Sequence, residues 1–299
     1  DNIPKVERIV MFDPRGTRHY DDARLEKWAD CLAMGETLLK DDSVWYQSKL
    51  EAMNPADSSM VIYTSGTTGQ PKGAMISNHN VLGLAREAAR MLGASRDDCL
   101  LSYLPLCHVA EKIFSLFLPL TTGAVVHFGE SIETVQQDLA EVSPTVFLGV
   151  PRIWEKMNAQ VTLKMQDASW LKRTLYNFFM PRGQAIADRK RSGTSGLWDS
   201  CVAWVGDLLV FRALQERLGL RRCRLPVSGA APISPELLRW FHGMGVAIGE
   251  GYGQTESTGV SHMNQPGAVR IGTVGQLIPG MQCMIAEDGE ILLKGDAVF

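Results

Sequence analysis

Long hydrophobic runs, closely spaced cysteine pairs and an excess of charge of one sign are all missing from this sequence of 299 residues. The 30 lysines and arginines are balanced by 33 aspartates and glutamates, and the net charge of −3 argues against a general affinity for nucleic acid. The longest uncharged stretch, residues 113–129, contains Pro119 and Gly123 and is shorter than the ~20 apolar residues that a membrane-spanning helix requires. We therefore predict that no segment of this sequence crosses a membrane.

The cysteines are isolated from one another at positions 31, 99, 107, 201, 223 and 283, and none forms a CxxC pair or a zinc-binding spacing. Free thiols in a reducing compartment are the expected state. The first residues also lack the charged and then apolar pattern of a secretion signal. Together these absences predict a cytoplasmic protein.

What the sequence does contain is an alternation of short strand patterns with amphipathic helix patterns. The predicted strands are Met60–Tyr63, Ala124–Phe128, Thr145–Gly149, Leu225–Ser228 and Val246–Gly249. Three amphipathic helices are predicted between and after these strands. The first begins after Asn80, which we expect to cap it, the second begins after Ser131, and the third begins at Ser234. Strands that alternate with helices predict a layered α/β fold, with largely parallel sheets flanked by helices.

The sequence changes character along its length, which predicts three regions. Residues 1–59 form an N-terminal segment of a large domain, and residues 60–270 form its nucleotide- and acyl-binding α/β core. The core carries a mostly helical insert at residues 155–224. Residues 271–299 begin a β-rich subdomain, because two short apolar runs flank a hairpin turn at residues 287–289.

The segment YTSGTTGQPKG, residues 63–73, follows the first predicted strand. Its glycines allow a ligand to approach the backbone, its hydroxyl and N–H groups can bind phosphate oxygens, and Lys72 adds a positive charge. It is not a Walker A loop, because Pro71 stands where that motif has the glycine before its lysine. A polar surface turn is the alternative. The candidate phosphate-binding residues are Thr64, Ser65, Gly66, Thr67, Thr68, Gly69 and Lys72.

The segment GYGQTE, residues 251–256, follows the last predicted strand of the core, where ligands bind in open α/β sheets. Tyr252 offers a flat face to a base, Thr255 offers a hydroxyl to a phosphate oxygen, and Glu256 offers a hard oxygen ligand to Mg²⁺. The segment SGAAP, residues 228–232, has small side chains that leave room for a planar ring. Taken singly, each of the two segments is better explained as an ordinary tight turn.

In this order, the three segments resemble the nucleotide-binding motifs of the adenylate-forming enzymes, which include acyl-CoA synthetases, luciferase and peptide-synthetase adenylation domains. The resemblance covers residues 60–299. It implies that YTSGTTGQPKG binds the phosphates of ATP, with Lys72, Thr255 and Glu256 as catalytic residues and Glu256 as the metal ligand. The adenine-binding residues that it implies are Gly229, Ala230, Ala231, Gly251, Tyr252 and Gly253.

Two further segments, LPLCHVAE at residues 104–111 and GVPRIWEK at residues 149–156, are similar to those of long-chain acyl-CoA synthetases, and so is the long helical insert. The resemblance implies that His108 is catalytic and lies near the acyl carboxylate, and that Arg152 helps to position the adenylate. A structural histidine and an ion-paired arginine remain open as alternatives. We also expect the insert and these two segments to wall an apolar acyl channel.

The function implied by the resemblance is that of an AMP-forming ligase, which activates a long-chain fatty acid with ATP to an acyl-adenylate and then forms acyl-CoA. Its cofactors and substrates would be ATP, Mg²⁺ and coenzyme A. A ligase that loads a carrier protein and a non-catalytic nucleotide- or lipid-binding module are the alternatives.

The family's C-terminal lid domain and its lysine do not occur in this sequence, so we expect the chain to bind ATP with little or no turnover. The run at residues 170–180 mixes aromatic and cationic side chains. Peripheral contact with a membrane is one interpretation of it, and a helix packed on its own domain is the other. We predict no nucleic acid partner, and a homodimer is left open.

Overall fold

The computed structural model describes residues 5–64 and 70–299 of the chain, which divides into two compact units, Asp1–Asp57 and Ser58–Phe299. In the small unit, the parallel strands β1 (Ile9–Met11) and β2 (Leu25–Lys27) are followed by helices α1 (Trp28–Asp41) and α2 (Trp45–Glu51). An ion pair of 3.0 Å joins Arg8 to Glu26 and holds the segment before β1 against β2.

The large unit alternates strands and helices, as the sequence predicts. Its strands are β3 (Ser58–Thr64), β4 (Lys72–Ser77), β5 (Cys99–Ser102), β6 (Val125–Phe128), β7 (Val146–Gly149), β8 (Leu225–Ser228), β9 (Gly249–Tyr252), β10 (His262–Met263), β11 (Gln276–Leu277), β12 (Met281–Ile285) and β13 (Ile291–Gly295). Its α-helices are α3 (Asn78–Leu92), α4 (Val109–Lys112), α5 (Leu118–Thr122), α6 (Val135–Val142), α7 (Pro151–Gln166), α8 (Trp170–Arg191), α9 (Leu197–Gly206), α10 (Arg212–Arg217) and α11 (Pro235–Gly243). The π-helical segments Ile113–Phe117 and Asp207–Phe211 join α4 to α5 and α9 to α10.

One sheet, with the strand order β11-β10-β9-β8-β7-β5-β6, organises the large unit. The strands from β6 to β9 are parallel, whereas β10 and β11 complete one edge with antiparallel pairing. The register places Gly149 beside Ser228, so β7 and β8 end side by side. The predicted α/β fold with a largely parallel sheet is therefore confirmed. The hairpins β3–β4 and β12–β13 form separate antiparallel sheets.

Helices cover both faces of this sheet, because neighbouring residues of one strand point to opposite sides. Val146 belongs to the core beneath α3, whereas Phe147 belongs to the core beneath α7 and α11. In the second core, Trp154 packs edge-on against Phe147 at a centroid distance of 5.3 Å and against Phe241 at 5.1 Å. All three rings are fully buried, and they fix α7 and α11 on the sheet.

The last predicted strand of the core was placed three residues too early. Its strand starts at Gly249, not at Val246. The amide of Val246 instead donates to Phe241 at the end of α11, and the amide of Ile248 donates to Val246. Because both side chains are buried, the segment has the apolar pattern of a strand although its backbone closes a helix.

The start of α3 also differs from the prediction. The cap is Ser77, and Asn80 is the third residue of the helix. The two residues bond each other reciprocally, since Ser77 Oγ accepts from the Asn80 amide and Asn80 Oδ1 accepts from the Ser77 amide. The helix ends at Gly93, whose φ of 57° lies in the left-handed region.

Helix α8 of the insert packs against α11, and the two helices cross closely. A Cβ atom on Gly183 of α8 would lie 2.2 Å from the carbonyl oxygen of Gly243 in α11, so a side chain at position 183 has no space. Phe179 and Phe211 bury their rings beside this crossing.

In the described part of the chain, no helix is long and apolar enough to cross a membrane.

Candidate functional site

A cavity of about 310 Å³ opens at the carboxyl ends of β7, β8 and β9, the edge at which open α/β sheets bind ligands. It is lined by Leu104, Pro105, Cys107, His108, Val109, Ala110, Phe114, Leu148, Val150, Val227, Gly229, Ala230, Gly251, Tyr252, Gly253, Gln254, Thr255, Gly259, Val260 and Met263. Segments that are far apart in the sequence therefore meet at one place.

The two segments that the resemblance assigns to adenine run side by side along this cavity. The register of β8 and β9 pairs Ser228 with Glu250, so that Gly229 follows next to Gly251. A Cβ atom on Gly229 would lie 3.6 Å from the carbonyl oxygen of Gly251, which leaves backbone atoms at the cavity surface. Five of the six predicted adenine-binding residues line the cavity, and the exception is Ala231, which is exposed.

The turn after β9 depends on a backbone contact that requires glycine at position 253. A Cβ atom there would lie 2.2 Å from the carbonyl oxygen of Gly259. The short helical turn Thr255–Ser257 follows, and the Ser257 hydroxyl donates to the carbonyl oxygen of Gln254 at 3.1 Å. This tight loop brings Thr255 into the cavity lining and leaves Tyr252 half-buried with one face beside the cavity.

Glu256 lies on the same turn, next to the cavity but outside its lining. Its side chain is half-buried. Among residues 5–64 and 70–299, its carboxylate makes no hydrogen bond and no ion pair, so both oxygens are available to a ligand. The same described part of the chain holds no group of three or more histidine, cysteine, aspartate or glutamate side chains that could bind a metal. A divalent ion at Glu256 would therefore need oxygen ligands from a bound phosphate or water.

The phosphate-loop candidates are only partly visible. Ser65, Gly66, Thr67, Thr68 and Gly69 lie outside the described residues. Thr64 ends β3 and Lys72 begins β4, and the two residues pair directly across the hairpin. The Lys72 side chain is exposed, and β4 packs beside the helical turn that carries Thr255 and Glu256. The strand that Lys72 begins thus packs beside the turn that carries Glu256.

His108 lines the cavity from the start of α4. Its Nδ1 accepts a hydrogen bond of 3.2 Å from the Ala110 amide, which caps the helix. Because Nδ1 acts as an acceptor, the ring proton resides on Nε2, which can donate to a ligand. Beneath it, the buried carboxylate of Glu111 accepts hydrogen bonds from Ser102 at 2.7 Å and Ser115 at 2.6 Å, and these bonds fix α4 on the sheet.

Arg152 is not brought into the site. It lies in the first turn of α7, where its neighbours Pro151 and Ile153 are buried and its own side chain is exposed. The cavity is lined instead by Val150, whose amide donates to the hydroxyl of Tyr103 at 3.3 Å. Burial raises the pKa of this tyrosine, which keeps the hydroxyl protonated.

The apolar wall of the cavity differs from the expected channel. The segments LPLCHVAE and GVPR supply Leu104, Val109 and Val150, as the sequence predicts. The helical insert contributes no residue to this cavity, because its buried side chains belong to the core beneath α11 on the other side of the sheet. Val260 and Met263, which the sequence did not single out, complete the wall because β10 turns back against β9.

Comparisons with known proteins agree with this geometry. The model of the AMP-binding enzyme family matches residues 6–299. The chain is 37% identical over 257 residues to a candidate fatty-acid–CoA ligase of Mycobacterium tuberculosis, fadD11, a match that covers 85% of this chain and 45% of that protein. It is 30% identical over 312 residues to the long-chain-fatty-acid–CoA ligase ACSBG2 of Xenopus laevis, covering 100% of this chain and 41% of that protein. The chain therefore spans less than half the length of these relatives.

Two solved structures share the fold. A malonyl-CoA ligase in complex with methylmalonyl-CoA and AMP matches with a TM-score of 0.56 and 25% identity, covering 83% of this chain and 45% of the other. The N-terminal domain of FACL13 from Mycobacterium tuberculosis matches with a TM-score of 0.55 and 18% identity, covering 83% of this chain and 52% of the other. At that identity, the second match supports the fold alone.

Proposed function

The chain belongs to the AMP-binding enzyme family, and from this premise we propose that the protein containing it activates a long-chain fatty acid with ATP, as an acyl-adenylate, and then transfers the acyl group to coenzyme A. The observation that carries the proposal is the single cavity at which residues 104–110, 229–230 and 251–255 meet. The names of its relatives supply the fatty acid as the substrate class.

In the first step, a fatty carboxylate oxygen attacks the α-phosphorus of ATP and pyrophosphate leaves, so that an acyl–phosphate bond replaces the bond between the α- and β-phosphates. Two anions must meet, so catalysis depends on positioning and on neutralising charge. Lys72 and the hydroxyls of residues 64–68 would hold the β- and γ-phosphates. Thr255 would bind the α-phosphate, and His108 Nε2–H would donate to the carboxylate or to the adenylate.

Glu256 would hold the Mg²⁺ that accompanies ATP, and this ion would neutralise part of the phosphate charge. The donor set fits such an ion, because a half-buried carboxylate with no partner among the described residues offers hard oxygen ligands. Adenine would pack between Tyr252 and the backbone at Gly229 and Ala230. Arg152 is left out of this assignment, because its exposed side chain lies outside the cavity.

The test is fatty-acid-dependent exchange between ATP and pyrophosphate in the full-length protein. Lys72→Ala should slow the exchange about 100-fold, as the loss of one preorganised charge does, and leave the melting temperature unchanged. Lys164→Ala, which removes an exposed lysine on α7, is the matched control. Unaltered exchange in Lys72→Ala, or its loss together with unfolding, would contradict the assignment.

The acceptor and the chain length are tested separately. Acyl transfer to coenzyme A supports the proposal, transfer to a carrier protein alone supports the first alternative, and nucleotide binding without exchange supports a non-catalytic module. Calorimetry with saturated fatty acids of six to eighteen carbons should show affinity rising by ~0.8 kcal/mol for each buried methylene until the apolar site is full. A flat profile would contradict a long-chain substrate.

We extend the proposal to peripheral contact with an anionic membrane through the helical insert. Trp170, Trp198 and Trp204 are 71%, 78% and 67% exposed, although tryptophan is an apolar side chain typical of membrane interfaces. Positions 197, 201, 204 and 208 follow helical spacing along α9 and the π-helical segment after it, and all four are exposed. The nearby cations Lys172 and Arg173 favour negatively charged lipid.

Sedimentation of the full-length protein with lipid vesicles tests this contact. Vesicles that contain phosphatidylglycerol should bind the protein more strongly than pure phosphatidylcholine vesicles. Replacing Trp198 and Trp204 with Ser should weaken the binding. Phe128→Ser, which removes an aromatic ring that is 73% exposed on β6, should leave it intact. Equal loss of binding in both variants would contradict the assignment to the insert.

A further inference from the structure

Residues 296–299, which we call the closing strap, lie against the first turn of α3. The side chain of Asn80 donates through Nδ2 to two carbonyl oxygens of the strap, that of Asp296 at 2.6 Å and that of Val298 at 3.2 Å. Asn80 is buried, with only 8% of its surface exposed. Its amide group therefore joins the strap to the first turn of the helix that follows β4.

The same strap also holds the loop that carries Glu256. Thr258 donates through Oγ1 to the carbonyl oxygen of Ala297 at 2.6 Å, and the amide of Phe299 donates to the carbonyl oxygen of Glu256 at 3.2 Å. Thr258 is fully buried, and Ala297 is 5% exposed within the core beneath α3. The strap is thus a packed part of the large unit.

Thr258 has a backbone conformation that its residue type disfavours. Its φ is +56°, in the left-handed region, where a β-branched side chain is rarely found. Strained residues of this kind persist where surrounding contacts hold them and are concentrated at functional sites. Thr258 is held by its backbone amide, which donates to Thr255 at 3.0 Å, and by its side-chain bond to Ala297. These bonds fix the residue two positions after the candidate metal ligand.

On the other side of the strap, Asn80 is coupled to the strand of Lys72. Its Oδ1 accepts from the amide of Ser77 at 2.9 Å, and Ser77 is the last residue of β4, which begins at Lys72. One side chain thus bonds the end of the phosphate-loop hairpin through its oxygen and the strap through its nitrogen. The strap in turn bonds the turn that carries Glu256, so the two nucleotide-binding segments share one support.

We propose that Asn80 and Thr258 are positioning residues, which set the separation of Lys72 and Glu256 by holding both backbone segments to the closing strap. The inference rests on the proposed function, because it assigns Lys72 and Glu256 to the same bound ATP and Mg²⁺. Neither residue touches the nucleotide in this assignment. Their effect is to keep the cation and the carboxylate at the spacing that a magnesium-bound triphosphate requires.

The first test compares two variants of Thr258 in the full-length protein. Thr258→Val keeps the branched shape but has no hydroxyl, and it should lower the affinity for ATP in the presence of Mg²⁺ about tenfold, as the loss of one buried hydrogen bond does. It should also reduce the gain in ATP affinity that Mg²⁺ provides. Thr258→Ser restores the hydroxyl and should restore both quantities. Calorimetry with ATP, with and without Mg²⁺, measures them.

The second test separates the helix cap from the strap. Asn80→Asp retains an oxygen for the Ser77 amide but loses the donor to the strap, and it should show the same weakened response to Mg²⁺. Thr145→Val is the matched control, because it removes a hydroxyl that donates at 2.7 Å to Asp98 at the opposite end of the sheet. It should reduce stability without changing the response to Mg²⁺.

The outcomes distinguish this inference from the proposed function. Reduced magnesium-dependent ATP affinity in Thr258→Val and Asn80→Asp, with rescue by Thr258→Ser, supports the positioning role whether or not the protein uses fatty acids. Variants that only melt at a lower temperature, and bind ATP and Mg²⁺ as the unchanged protein does, overturn it. Absence of fatty-acid-dependent pyrophosphate exchange in the unchanged protein would instead overturn the proposed function.

Discussion

At the amino ends of β5, β7 and β8, polar side chains bond one another, whereas at the carboxyl ends the same sheet opens into a cavity. Asp98, Thr145 and Arg224 each stand immediately before one of the three strands. Asp98 is 3% exposed and accepts from Thr145 Oγ1 at 2.7 Å and from Arg224 Nε at 2.9 Å. These bonds hold the pKa of the Asp98 carboxyl below its usual value in spite of the desolvation that opposes them.

At the other end, the residues that follow β8 and β9 border the cavity instead of bonding across it. Gly229 leaves backbone atoms at the cavity surface, and in the proposed function the side chains of Thr255 and Glu256 bind ligand oxygens. The comparison separates two uses of polar groups. Where partners come from the chain itself, the groups stabilise the fold, and where partners are left open, the groups can bind a substrate.

The largest expected effect lies at the open end. Glu256→Gln preserves the shape of the side chain but removes the charge that would hold Mg²⁺, so pyrophosphate exchange should fall ~100-fold or more. The melting temperature should not change. Glu216→Gln, on the exposed surface of α10, is the control. Full exchange with an unaltered dependence on Mg²⁺ would show that Glu256 is not the metal ligand.

The next effect lies at the closed end and concerns stability instead of rate. Asp98→Ala leaves Thr145 and Arg224 without their shared acceptor, and the free energy of unfolding should fall by about 2–3 kcal/mol. Denaturant titration measures this change. The neighbouring Asp97→Ala should have little effect, because Asp97 is exposed and its carboxylate makes no bond to the described residues. A folded Asp98→Ala variant that exchanged pyrophosphate more slowly would contradict the assignment of this cluster to stability alone.

His108 both caps α4 and lines the cavity, and two variants separate these roles. His108→Ala removes the acceptor that caps α4 and the proposed donor to the carboxylate, so it should cost about 1 kcal/mol of stability and also slow the exchange. His108→Asn keeps a capping oxygen and should lower only the exchange rate. Equal rates for the unchanged protein and His108→Asn would assign this histidine a purely structural role.

The smallest expected effect is a dependence of stability on pH. Burial lowers the pKa of His242 and of His262 in the folded protein. The unfolded chain therefore takes up protons first, near its ordinary pKa of about 6.5, and the free energy of unfolding should fall as the pH drops below that value. Melting curves between about pH 7 and pH 5 measure this loss, and His242→Gln should reduce its slope. A stability that rises toward pH 5 would contradict the assignment.

The sequence predicted which glycine-rich segments lie together better than it predicted the walls of the cavity. Glycine-rich segments at strand ends point to a ligand whatever their exact backbone, and the residues at 229–230 and 251–255 do meet at the cavity. Arg152 is exposed because the rotation of α7 about its axis turns this side chain toward solvent. A sequence motif does not encode that rotation. Val260 and Met263 reach the cavity only through the antiparallel return of β10, and a two-residue strand leaves no periodic signal. The cluster of Asp98 and Arg224 joins residues far apart in the chain, and local patterns carry no information on such pairs.

The crossing of α8 and α11 has a consequence for how the insert can vary among related proteins. Because the space beside Gly183 admits no Cβ atom, the crossing fixes both the rotation and the axial position of α8 at that point. One residue added to the helix before Gly183 would turn every earlier side chain by about 100° relative to the crossing. Changes in length should therefore accumulate in the connection between α8 and α9, residues 192–196, where the chain is exposed and no helix phase has to be kept.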